Sequence, residues 1–109
     1  MLPPSMEDPH QIEVPPSFVA LFTSPSGRLT EPARTVRAHY ETCEDLAQML
    51  TEQAGTTLFR TGLPERQVLA GIHAALAGEG SPVPPAQAWW VVQRLAELLG
   101  WPPPEAPGA

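Results

Sequence analysis

The sequence predicts an all-α protein, a small antiparallel bundle of three main helices with a short amino-terminal apolar clasp. Three observations predict it. Apolar residues recur every three or four positions in three separate segments, as they do along one face of a helix. Proline and glycine punctuate the ends of those segments, Gly71 being the exception. No stretch alternates apolar and polar residues as a half-buried strand does. Three amphipathic helices on short connections hide their faces most simply against one another.

Three regions are expected. Residues 1–16 hold five prolines and the acidic residues Glu7, Asp8 and Glu13, a composition that buries little, and are read as a flexible arm. Residues 17–101 form the helical domain, and 102–109 a flexible proline-rich tail. The domain opens on Ser17-Phe18-Val19-Ala20-Leu21-Phe22, an apolar cluster stopped by Thr23-Ser24-Pro25-Ser26-Gly27, and fits either one or two helical turns or a short strand.

Thr30-Glu31-Pro32 reads as the first long helix start: a hydroxyl cap, a carboxylate at the positive end of the helix dipole, and a proline where no amide partner is needed. Val36, Tyr40, Cys43, Ala47, Leu50 and Ala54 follow at helical spacing, with an end near Gly55. Gly62-Leu63-Pro64-Glu65 starts a second helix, with Leu63 placed to pack back on the next turn. Val68, Leu69, Ile72, Ala75 and Leu76 line one side of it until the Gly78-Glu79-Gly80-Ser81-Pro82 break. Gly71 costs about 1 kcal/mol against alanine, which fits a close helix contact or simple tolerance. The third helix begins at Val83-Pro84-Pro85 and centres on Ala88, Val92, Leu95 and Leu99. Gly100 follows as a left-handed cap, and Trp101 folds back onto the last turn.

Composition removes whole classes of function. Of 109 residues 12 are acidic and 6 basic, all six arginine, for a net charge of −6; lysine and asparagine are absent. A lysine-bearing phosphate loop, Schiff-base chemistry and N-glycosylation have no residue to use. One cysteine makes no internal disulfide. Negative charge and scattered arginines oppose phosphate neutralisation, so no nucleic-acid partner is expected; Leu63 to Ala77, the candidate recognition helix of a DNA-binding regulator, carries Arg66 as its sole basic residue. The amino terminus shows no secretory pattern and no run reaches the ~20 apolar residues of a membrane span, so the expected location is the cytoplasm, with no membrane contact.

No catalytic, cofactor or metal residue is expected. His39, Cys43 and His73 supply three potential zinc ligands where a closed site needs four. Cys43 sits in the apolar stripe as a small hydrophobe, and Glu41, Glu44 and Asp45 around it are expected to raise its pKa. Glu44-Asp45 reads as a solvated helix face. Trp90 is the misplaced residue, since a helical wheel puts it with Gln93, Arg94 and Glu97 on the side away from Ala88 and Val92. Either Phe18, Leu21 and Phe22 fold over it within the chain, or it meets a partner protein or a second copy in a homodimer. The candidate contact residues are therefore Trp90, Arg94, Phe18, Leu21 and Phe22.

Three runs carry a resemblance: IEVPPSFVALF at 12–22, YETCEDLAQML at 40–50 and WVVQRLAELLGW at 90–101. They resemble a family of short bacterial proteins described as "ATPase with chaperone activity", over residues 12–101. The resemblance implies a small chaperone-like protein that touches other proteins, with nucleotide hydrolysis as the alternative activity. It implies no catalytic residue at any position of this sequence. The reading that follows is a non-catalytic interaction, adaptor or chaperone-associated module, with an ATPase or a DNA-binding regulator as alternatives.

Overall fold

The computed structural model describes residues 13–104. Residues 1–12 of the expected arm and 105–109 of the expected tail lie outside the described residues. The protein is all-α: α1 (Pro16–Val19), a 3-10 turn (Ala20–Phe22), α2 (Ala33–Thr61), α3 (Glu65–Ala77) and α4 (Pro85–Leu99). Among the described residues there is no strand, only an isolated antiparallel bridge between Thr23 and Leu29. The 17–22 cluster is thus helical, and the turn after it is closed by the Gly27 amide donating to the Ser24 carbonyl (2.9 Å), with Gly27 at φ 88°.

Among the described residues proline starts each α-helix. Pro15, Pro32, Pro64 and Pro84 hold the cap positions in extended geometry, and none receives a side-chain cap. The ring fixes φ near the value this position needs while the carbonyl accepts the first helical bonds, as Pro32 does from Val36 (3.1 Å) and Pro84 from Ala88 (2.9 Å). Thr30 is therefore not the cap the sequence suggested. Its hydroxyl instead donates to the Phe22 carbonyl at 3.2 Å and ties the clasp to the loop.

The first long helix does not stop near Gly55. It continues to Thr61 and ends at Gly62, whose φ of 69° is the left-handed turn that glycine adopts without a Cβ penalty. Leu50, Ala54 and Leu58 extend the packed stripe across Gly55, and that burial outweighs one glycine's propensity cost. At 29 residues α2 is about 43 Å long and sets the long axis of a molecule measuring 56 × 29 × 25 Å. Leu63 is exposed rather than packed back, so no staple forms.

The core gathers Phe18, Cys43, Leu69, Val91, Val92 and Leu95, with Val36, Ala47, Val68, Leu76 and Ala88 around them. α2 and α3 both pack on α4, and on each other. The Trp89 ring meets His73 of α3 edge-on at 5.3 Å. α4 closes as expected: Gly100 takes φ 72°, the Trp101 amide donates to the Ala96 carbonyl (2.9 Å) and the Gly100 amide to that of Glu97 (3.2 Å). These are the paired bonds of a Schellman cap, with Trp101 packed back on the core.

A Cβ added at Gly71 or Gly55 meets nothing within 4 Å, so Gly71 reflects tolerance and not a close helix contact. Gly55→Ala and Gly71→Ala should each stabilise the fold by about 0.5–1 kcal/mol, raising Tm by a few degrees in thermal denaturation followed by circular dichroism. Gly62→Ala, at positive φ, should lower Tm.

Candidate contact site beneath the clasp

The clasp inserts one aromatic ring between two others. Phe18, completely buried, meets Trp90 of α4 edge-on (5.1 Å, 85°) and Tyr40 of α2 edge-on (5.7 Å, 68°), while Tyr40 and Trp90 meet each other at 5.7 Å and 77°. Edge-to-face contacts place positive ring edges on negative ring faces, worth about 0.5–1.5 kcal/mol per pair beyond burial. The Trp90 indole N–H donates to Ser17 Oγ at 2.9 Å, so its one polar atom is satisfied where the ring is dry. Phe22 completes the clasp, 5.6 Å from Phe18 and stacked on His39 at 5.4 Å with the planes 2° apart.

Of the two covers the sequence allowed for Trp90, the fold supplies the one from within the chain. Trp90 is only 5 % exposed, because the clasp and Tyr40 cover the side of α4 that the other two long helices leave open. Cover within the chain is the arrangement present, and Phe18, Phe22 and Trp90 spend their faces on the core. Leu21 alone of the clasp's large apolar residues is exposed, at 38 %.

Arg94 is also engaged within the chain. Its Nε and Nη2 donate to the two carboxylate oxygens of Glu44 at 2.9 and 3.1 Å, and Nη1 donates to Glu97 at 3.0 Å. Glu44 accepts a further bond from Gln48 Nε2 at 2.9 Å. Glu44 is thus no solvated-face carboxylate: its side chain is 18 % exposed and forms a two-pronged latch between α2 and α4. Arg94, first, and then Gln48 hold its carboxyl below the usual range against the opposing pull of burial, and Glu44 in turn holds the guanidinium charged. Burial, then the Glu44 carboxylate, push the Tyr40 phenol up, with Arg94 opposing.

Between the clasp and this latch lies a cleft of about 350 Å³. It is lined by Pro15, Tyr40 and Trp90 together with the polar side chains of Ser17, Gln93, Arg94 and Glu97. Spacing singled out Trp90 and Arg94. Tyr40 was legible only as a core residue, and Ser17 and Pro15 come from a segment whose path no periodicity fixes.

The candidate reactive groups are taken up structurally. Cys43 is buried, donates its thiol to Gln87 Oε1 at 3.4 Å, and is pushed up to about 11 by burial and not by the neighbouring carboxylates. His39 lies under Phe22 with Glu31 at 3.8 Å, and His73 lies against Trp89. Among the described residues no three histidine, cysteine or acidic side chains cluster to hold a metal ion. No family model, curated protein or solved structure matches this chain.

Two outcomes follow from these geometries. Because the folded Glu44 carboxyl titrates below its usual value near 4.5, its contribution to stability is complete above that pH and is lost as pH falls through the lower folded value. Urea unfolding between pH 3 and 7 should show that loss, and Glu44→Gln should flatten it; a double-mutant cycle with Arg94→Ala should give a coupling of about 1 kcal/mol. Cys43 should react with a disulfide reagent at pH 8 on the order of a hundredfold more slowly in the native chain than in denaturant.

Proposed function

We propose that the chain is a non-catalytic protein-interaction module, an adaptor or chaperone-associated protein of the cytoplasm, and that its contact site is the cleft beneath the clasp. The observation that carries this reading is a cleft of about 350 Å³ in which Tyr40 and the edge of Trp90 meet the polar side chains of Ser17, Gln93, Arg94 and Glu97. The groups that could do chemistry are each committed elsewhere: the Cys43 thiol to Gln87, Glu44 to Arg94, His39 to Phe22. The three long helices are read as an antiparallel bundle, since the connection of residues 62–64 between α2 and α3 leaves little room for anything but reversal. Among the described residues no helix is long and apolar enough to cross a membrane. The resemblance to short chaperone-labelled bacterial proteins points the same way, toward contact with another protein or a second copy of this chain.

A photo-crosslinking side chain tests the site. Placed at Gln93 on the cleft rim it should give one dominant adduct in cells, absent when the group is placed at Gln53 on α2. The protein identified in that adduct, purified, should bind the chain in calorimetry. Equal adducts at both positions, or micromolar binding of magnesium–nucleotide that survives repurification, overturns the reading in favour of general stickiness or of nucleotide hydrolysis.

A further inference from the structure

The clasp shows what the groove between α2 and α4 can hold. It is a short segment that arrives through Pro15 and Pro16, gives a serine hydroxyl to the Trp90 N–H, and buries one phenylalanine against Tyr40 and Trp90. Covalent connection is not what makes these contacts. A segment of another protein with the same three features would meet the same donors and ring faces.

The clasp is a small attachment: it consists of one α-helical and one 3-10 turn, and Trp90 of α4 donates a side-chain hydrogen bond to its Ser17. Residues 25–32, which join it to α2, are all exposed. Phe18 and Phe22 are buried, so the packing of two rings is what opening of the clasp has to undo.

We infer that the clasp is an intramolecular occupant of a peptide-binding groove, and that the groove's partner is a short proline-led segment of another protein carrying a hydroxyl residue followed by phenylalanine, which binds by displacing the clasp. This rests on the interaction-module reading and names its partner class. The clasp itself supplies Pro15 and Ser17 to the cleft, so a segment that takes its place meets the remaining lining, Tyr40, Trp90, Gln93, Arg94 and Glu97, in addition to the ring faces around Phe18. A tethered occupant acts at an effective concentration of about a millimolar, so the resident clasp masks the groove from weak ligands and admits a segment that also fills the cleft.

The test uses the full chain and a fluorescein-labelled peptide copying residues 13–23. Fluorescence anisotropy should show the peptide binding Phe18→Ala at least about tenfold more tightly than wild type, and failing to bind when its own phenylalanine is replaced by alanine. Equal binding by Phe18→Ala and wild type overturns the proposal. Should Phe18→Ala lose its helical circular dichroism, Phe18→Leu takes its place. Hydrogen exchange on the wild type adds a readout free of substitutions. The Phe18 and Val19 amides, bonded to the Pro15 carbonyl at 3.0 Å, should exchange at least tenfold faster than those of Val92 and Leu95. Equal rates mean that the clasp opens only with the whole fold, which overturns displacement. A stable wild-type dimer exchanging clasps also overturns it, by assigning the groove to a second copy. If the peptide shows no preference while Gln93 still gives its adduct, this inference alone fails; if the peptide binds as expected and Gln93 gives none, the module reading in cells fails.

Discussion

One helix dictates the arrangement of the rest. α4 buries Gln87, Ala88, Trp90, Val91, Val92, Leu95 and Ala96, residues that stand on nearly every side of its axis. An ordinary amphipathic helix needs one apolar surface to lie on, whereas a helix apolar on most of its circumference must be covered from several directions. α2 and α3 cover two sides of α4, and the clasp with Tyr40 covers the side that holds Trp90. That need is why so short a segment as 16–22 is ordered at all. Two turns are far below the length at which a helix holds itself, and burial of Phe18, roughly 1.5–3 kcal/mol, stabilises them from outside.

The polar groups follow from the same enclosure. Where α4 approaches water, Arg94 takes up both oxygens of Glu44 and one of Glu97, with its own side chain 32 % exposed. Such a pair fixes the rotation of α2 against α4 more than it deepens stability, because two planar groups meeting through two bonds allow few relative angles. Deeper in, the side-chain oxygen of Gln87 accepts the Cys43 thiol proton at 3.4 Å, a weak bond that spares a buried carbonyl from being unpaired. Arg94 therefore offers no free fork to a phosphate, and Cys43 no thiolate to a substrate.

Most of the helices could be read from spacing, and the places where spacing failed share a cause. The stripe Val36, Tyr40, Cys43, Ala47 and the cap at Gly100 are local signals, settled by residues within two turns of one another. Gly55 misled because a local stop signal was outweighed by Leu58, whose burial depends on residues distant in the sequence. Thr30 misled because proline held the cap position and left the hydroxyl free for Phe22. Trp90 was recognisable as out of place on its own helix, and the clasp as its possible cover. Which cover it has depends on the path of residues 13–32, where no periodicity exists. The latch between Glu44 and Arg94 was invisible for the same reason: the two residues are 50 positions apart, and only the packing of α2 on α4 brings them together.

The charge around the cleft narrows what can enter it. Arg94 on its lining is shared between two carboxylates, Glu97 on the same lining and Glu44 behind it. One negative charge is left over locally, within a chain whose net charge is −6. An acidic segment, a phosphorylated one or a nucleic-acid backbone meets repulsion there with no unpaired cation to offset it. A neutral or basic segment meets none. The clasp itself escapes that repulsion, because residues 16–22 contain no charged side chain and pack between α2 and α4 without an electrostatic cost.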